Sequence, residues 1–227
     1  MAAVTAFDRL ANEYDKWFDS DEGRPIFEME TECLRDLIGE GGAGWLEVGV
    51  GTGRFAQALR VEEGVDPSAA MLEFAARRGI RTRQGRGENL PYPDASFNGV
   101  LIALTLCFVD DPRQVLRECA RVLKHGGHLV VGVVPSDSPW GGYYERKGRE
   151  GHPFYAEAEF FAPDQVVQMA ASAGFDLERA NCCLLSPPNE PLNTSWRRGI
   201  VKDAGFVAMR FLNRRPAAQV GPERHLS

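Results

Sequence analysis

From Trp45 onward, short apolar runs alternate with helix-like segments, and no other feature constrains the fold as tightly. Strands separated by helices form parallel βαβ units, and a parallel sheet must be covered on both faces. "GWLEVG" (44–49) reads as a strand and Thr52–Arg60 as a helix. "VEEGV" (61–65) is a short strand, after which Asp66 is placed to cap a helix that starts at Pro67 and runs to about Arg78. Ile80–Arg83 is a third strand, "FNGVLIAL" (97–104) a fully buried fourth, and "GGHLVVGVV" (126–134) a fifth, reached through a helix opened by Asp111-Pro112 and running to Lys124. "APDQVVQMAASAG" (162–174) is a further helix. "FDLERANCCLL" (175–185) and "GFVAMRFL" (205–212) follow with no helix between them, so they are expected to pair antiparallel. The fold class is therefore α/β: a doubly wound, mostly parallel, seven-stranded sheet with an antiparallel last strand.

Two helices precede this array. Val4, Phe7, Leu10, Ala11, Tyr14 and Trp17/Phe18 have helical spacing within 4–18. A second helix runs from about Pro25 to Ile38 and stops at Gly39, where a cluster with Gly41, Gly42 and Gly44 forms the entry loop. The chain is 227 residues long, which suits a single domain, 1–213, with a helical cap (1–40), an insertion (135–161) and a polar tail (214–227).

Charge and apolar content exclude other classes. A net charge of −6 argues against a nucleic-acid partner. The longest largely apolar run, Val100 to Val109, is half of what a membrane-spanning helix needs. The opening "MAAVTAFDRL" lacks a charged-then-apolar signal pattern, which makes the cytoplasm the expected compartment. Five cysteines without metal-type spacing read as reduced thiols, and no metal site is expected. Cys182 and Cys183 on one strand should face opposite sides.

The first strand leads into "LEVGVGTGRF" (46–55), a turn that can bring backbone close to a ligand. A dinucleotide fingerprint is G-x-G-x-x-G. Here Gly49, Gly51 and Gly53 are spaced G-x-G-x-G, and Arg54 occupies the place of the third dinucleotide glycine. Glu47, two residues before Gly49, would repel a pyrophosphate and favour an ammonium or sulfonium group. Asp66 falls at the end of the second strand, where a carboxylate commonly holds ribose hydroxyls.

Four blocks in order, "LEVGVGTGRF", "GVDPSAAML" (64–72), "GRGENLPYPDASFNGV" (85–100) and "ARVLKHGGHLVV" (120–131), resemble the class I S-adenosylmethionine-dependent methyltransferases, with their Rossmann-like fold. The helical opening "YDKWF" (14–18) is similar to that family as well. The resemblance implies S-adenosylmethionine as cofactor and S-adenosylhomocysteine as product. It implies that Glu47 and the backbone of Gly49, Gly51 and Gly53 face the methionine part, and that Asp66 binds the ribose. Pro67, Ser68 and Met71 would line the adenine side, with Gly87 and Glu88 at its border and Leu104 beneath the cofactor. Tyr14 and Trp17 would close the site, unless they form a core-facing aromatic stripe. Three positions depart from the pattern: Arg86 where many relatives carry an acid, Asn98 for aspartate, and His125 for proline. Arginine cannot accept a hydrogen bond from the adenine amine, so a backbone carbonyl or Glu88 must serve instead.

The stretch 135–161, "PSDSPWGGYYERKGREGHPFYAEAEFF", is a long connection rich in aromatics. It is expected to be either a lid over the acceptor pocket or a surface insertion packed by its own rings. Trp140, Tyr143, Tyr144, Phe154 and Tyr155 are its pocket candidates. His152 is its one candidate general base, with a structural role as the alternative. Trp196-Arg197-Arg198 is either an anchor for an acidic group or a solvated loop.

The expected function is methyl transfer to a small-molecule acceptor by a monomer or homodimer, without nucleic-acid or membrane partners. A non-catalytic S-adenosylmethionine-binding relative and an NAD(P)-dependent oxidoreductase remain as alternatives. Glu47, Arg54 and "RVLKHGG" speak against the oxidoreductase.

Overall fold

The computed structural model describes residues 2–39 and 42–214, with side chains from Ala6 on. The expected tail lies outside the described residues beyond Arg214, as do Gly41 of the entry loop and the side chain of Val4. The elements are α1 (Ala2–Arg9), α2 (Ala11–Trp17), α3 (Gly23–Ile38), β1 (Trp45–Val48), α4 (Arg54–Leu59), β2 (Glu63–Asp66), α5 (Ala69–Arg77), β3 (Arg81–Gln84), β4 (Phe97–Ala103), a 3₁₀ turn (Leu106–Phe108), α6 (Pro112–Val122), β5 (Leu123–Val133), α7 (Pro139–Arg149), α8 (Pro163–Ser172), β6 (Phe175–Cys183), β7 (Arg197–Arg198) and β8 (Phe206–Asn213).

The sheet order is β3-β2-β1-β4-β5-β8-β6-β7. Strands β1 to β5 are mutually parallel, and β8 runs antiparallel between β5 and β6. That is the doubly wound arrangement expected, with one strand more. The extra strand is β7, a two-residue edge pairing Arg197 with Cys182 and Arg198 with Asn181. Two residues carry no periodic pattern, so it could not be read from the sequence.

Alternation along the buried strands divides the core into two layers. Val100 and Ile102 of β4 pack with Leu46, Val48, Leu129 and Val131 under α6 and α8. Leu101 and Ala103 pack with Trp45 and Val130 under α3, α4 and α5. Cys182 and Cys183 fall into opposite layers, as the period-two rule requires. The strand order reverses between β1 and β4, so their carboxyl ends open a crevice of the kind in which such sheets bind ligands. Among the described residues no helix is long and apolar enough to cross a membrane.

Three expectations need correction. The helix expected over 4–18 is broken at Leu10, whose φ of −115° and ψ of 21° turn α1 away from α2. Periodicity survives the break because the Leu10 and Tyr14 amides still donate to Ala6 and Leu10 carbonyls. Asp66 does not cap the following helix: Ser68 does, accepting from the Met71 amide at 3.2 Å. The stretch 135–161 is not one long loop. Ser138 accepts from the Gly141 amide at 3.0 Å and Pro139 starts α7, a helix of 11 residues.

Candidate functional site

The glycine turn is folded back on β2, with the Gly49 and Val50 amides both donating to the Val65 carbonyl at 2.8 and 3.1 Å. Gly49, Gly51 and Gly53 have φ of +72°, +52° and +82°, a region L-residues avoid. Each is needed for a different reason. A Cβ on Gly49 would stand 2.1 Å from Thr105 Cγ2, and one on Gly53 would stand 3.0 Å from Ala75 of α5. A Cβ on Gly51 would meet only Tyr14, at 3.9 Å, so its backbone faces open space.

That space is a cavity of about 830 Å³ at the carboxyl ends of β1 and β2. Of the residues singled out in the sequence, Tyr14, Gly49, Gly51, Asp66, Pro67, Ser68, Met71, Gly87, Glu88 and Leu104 line it. Asp66 is buried and accepts the Gly51 and Ser68 amides, each at 2.9 Å. Burial pushes its carboxyl up to about 6, against the pull of those amides. Glu47 does not line the cavity. It is buried beside the turn, burial holds its carboxyl well above the usual range against the Ala56 backbone, and Oε2 has no partner. Gly53 also lies off the cavity, where it starts α4 against α5.

Arg86 lines the cavity as well, with its side chain partly exposed. Its Nη2 donates to Glu88 Oε1 at 3.2 Å and to Asp110 Oδ2 at 2.6 Å. Glu88 Oε1 also accepts the Asp110 amide at 2.9 Å. Burial alone would raise the Glu88 carboxyl, but backbone amides and Arg86 outweigh it and hold it low. Glu88 is thereby held by Arg86 and the Asp110 amide.

The two N-terminal helices cover this cavity and are tied to its floor by charge. Ser68 Oγ donates to Asp8 Oδ1 of α1 at 2.5 Å. Arg54, first residue of α4, donates to Asp15 Oδ1 at 2.9 Å and to Asp19 Oδ2 at 2.6 Å. Arg78 adds a second guanidinium on Asp15 Oδ2 at 2.9 Å. Burial raises the Asp15 carboxyl, and the two guanidiniums together overcome that and hold it below its ordinary value.

A second, larger cavity of about 1340 Å³ lies beside the first. The two share Phe7, Tyr14, Leu104 and Phe108. Leu104 closes β4 with a φ of +55°, a strained conformation held by its amide donating to the Gly132 carbonyl at 2.9 Å. Trp17 lines this second cavity, not the first. So do Tyr144, His152, Phe154 and Tyr155. Tyr144 and Tyr155 approach to 4.7 Å between centroids, and the His152 ring stacks on Tyr155 at 4.7 Å and 27°. Burial and Lys147 lower the His152 pKa, which favours the neutral imidazole.

Two pocket candidates lie elsewhere. Trp140 is buried against Gly205, with Nε1 donating to the Ser186 carbonyl at 2.8 Å, and pins α7 to the core. Tyr143 lies outside the lining and carries the Lys147 ammonium over its ring at 4.6 Å. Of the lining residues that escaped the sequence, Glu30 has the most unusual surroundings. Glu30 of α3 is 3% exposed, its Oε2 has no partner, and burial raises its carboxyl to about 8. A signal existed: Glu30 stands in phase with the apolar stripe Ile26, Cys33, Leu34 and Leu37, where a solvated glutamate has no place.

Known proteins resemble this chain over most of its length. A methyltransferase-domain family model matches residues 46–131. An uncharacterized protein of Mycobacterium tuberculosis is 42% identical over 211 residues, which are 92% of this chain and 74% of that protein. The demethylmenaquinone methyltransferase of Thermotoga maritima is 28% identical, over 77% of this chain and 88% of the enzyme. A crystal structure from the same organism, described as an S-adenosylmethionine-dependent methyltransferase and possible histamine N-methyltransferase, superposes with a TM-score of 0.85. It is 36% identical and is covered to 99% by 93% of this chain.

Proposed function

Because the chain belongs to the S-adenosylmethionine-dependent methyltransferases, we propose that it binds S-adenosylmethionine in the first cavity and methylates a small molecule held in the second. One observation carries this reading: the two cavities meet at a common wall of Phe7, Tyr14, Leu104 and Phe108. A methyl group held in the first cavity where these four residues meet the second can reach an acceptor there directly.

The residues present fit the cofactor. Gly51 leaves open room where any side chain would intrude, and the buried Glu47 oxygen without a partner stands beside the turn as an acceptor, which a cationic ligand would draw toward its charged form. When bound, the cofactor supplies a methyl group on a cationic sulfur whose leaving group is neutral and needs no acid. Asp66 accepts the ribose hydroxyls while its own two amide donors fix its orientation. Backbone at Gly49 and Gly51 bounds the methionine end. Pro67, Ser68 and Met71 form the adenine side, and Gly87 and Glu88 its far border. Leu104 lies beneath, and Tyr14 closes the top, its aromatic face favouring the sulfonium by cation–π attraction. Gly53 acts indirectly, by seating α4 against α5. Trp17, Tyr144, Phe154 and Tyr155 surround the acceptor, where rate is gained by holding nucleophile and methyl in line at roughly 3 Å. A base role for His152 is supported by its place on this cavity and by the neutral imidazole that its lowered pKa favours. Turnover within about threefold of the parent in His152→Ala removes that role.

Calorimetry tests the reading directly. S-adenosylmethionine and S-adenosylhomocysteine should both bind at micromolar concentrations, and no binding at about 1 mM overturns it. A labelled-methyl screen across small-molecule pools then identifies the acceptor.

A further inference from the structure

We propose that Glu30 is the acceptor-binding residue of the second cavity and that the acceptor is an amine on a flat apolar body, methylated on nitrogen. This rests on the methyl-transfer reading and adds the acceptor's chemical class to it.

The cavity combines two features that single out such a ligand. Its walls are aromatic, from Trp17, Tyr144, Tyr155 and Phe160, which suits a flat body and also favours a cation. It also holds a buried carboxyl group. Glu30 lines the cavity, is 3% exposed and has an Oε2 without a hydrogen-bond partner. It lies close enough to the phenols of Tyr14, Tyr144 and Tyr155 that its ionised form raises each of them. Among the described residues no guanidinium or ammonium pairs with it. The cavity's own cation, Lys147, is turned onto the Tyr143 ring, and the lowered pKa of His152 favours its neutral form. With the cavity empty, burial keeps this carboxyl largely neutral, its pKa raised to about 8; an ammonium beside it draws it back toward the charged form and supplies the partner the fold leaves out. A quinol or an alcohol brings no charge to do so, and a carboxylic acid would have to be buried with no cation beside it.

The same residue solves a chemical problem. An amine arrives as an ammonium, whose nitrogen has no free electron pair. On binding, the ammonium and the protonated Glu30 together release one proton to water. The single proton left between them rests on Glu30 Oε2, where burial favours the neutral acid, and the amine keeps its pair free. That pair forms the nitrogen–carbon bond as the carbon–sulfur bond breaks, with its electrons left on sulfur. The product leaves as the methylated ammonium, and Glu30 keeps its proton for the next turnover.

The test compares three amines (2-phenylethylamine, histamine and tryptamine) with 3-phenylpropionate and 2-phenylethanol. Binding is measured calorimetrically to the protein saturated with S-adenosylhomocysteine, and turnover by transfer of labelled methyl. At least one amine should bind tenfold or more tightly than the acid and the alcohol, and be methylated on nitrogen. Glu30→Gln should lose that preference and at least 100-fold of turnover, bind S-adenosylhomocysteine within twofold of the parent, and melt no lower. His152→Ala should keep the preference. The inference is overturned if no amine is preferred by the parent protein, a result that needs no variant, or if Glu30→Gln methylates amines within threefold. Failure of S-adenosylhomocysteine to bind the parent would instead overturn the methyl-transfer reading beneath it.

Discussion

The floor of the first cavity is made largely of main chain: the turn at Gly49 and Gly51, and the amides that Gly51 and Ser68 donate to Asp66. The second cavity is made of side chains brought together from α2, α3, the 3₁₀ turn and the segment after α7. A backbone site needs particular residues at close sequence spacing, because few residues reach positive φ or leave room for a ligand. A side-chain site needs only a surface of suitable shape, and its parts can come from anywhere the fold brings them. A site of the first kind tolerates few substitutions; one of the second kind can be reshaped without moving the first.

The largest effect should come from putting a side chain into the main-chain floor. Gly49→Val sets a left-handed φ against a β-branched residue and drives Cβ to within 2.1 Å of Thr105. Loss of S-adenosylhomocysteine binding by more than about 100-fold is expected in calorimetry, with stability reduced by about 2–4 kcal/mol in denaturant titration. Binding within tenfold of the parent would break the contrast between the cavities. Next comes Asp66→Ala, which should weaken the cofactor product about 30-fold while leaving acceptor binding unchanged. Its pH dependence is set by the same group. The folded-state value near 6 lies above the ordinary aspartate value, so protonation favours the empty folded protein and opposes binding. Affinity should be level above pH 7 and fall as pH drops through 6; a flat profile down to pH 5 would remove Asp66 from the ribose.

A smaller and opposite effect is expected at Tyr144→Ala. Acceptor KM should rise about tenfold and cofactor Kd stay within about twofold. Equal losses on both sides would mean the cavities are one site. Smallest is Arg54→Met, which leaves Asp15 with Arg78 alone and frees Asp19. A melting point lower by about 2–4 °C and a cofactor Kd raised about threefold sharpen the comparison, since Arg54 lines neither cavity.

The legibility of the sequence follows the same division. β1, its glycine turn, Asp66 and the parallel strands were readable because local spacing dictates them. Glu47 was recognised for its charge, although only the structure shows it buried beside the cavity rather than lining it. Gly53 was given a ligand, but close packing on Ala75 is what requires it. Trp140 and Tyr143 were grouped with Tyr144 by composition, and helix α7 turns them in different directions. Glu30 shows the limit most clearly. It marks a cavity only once α3 is known to face Tyr144 and Tyr155 across the molecule, and no spacing within one helix encodes that.

The clamp of Arg54 and Arg78 on Asp15 joins the covering helices to the element that begins at the glycine turn. Covering and cofactor binding are then two linked equilibria. By thermodynamic reciprocity, whatever factor the closed cover adds to cofactor affinity, bound cofactor adds to closure. Tyr14 belongs to that cover and also to the wall between the cavities. Loosening the aspartate shared by two arginines should therefore be felt in both cavities at once.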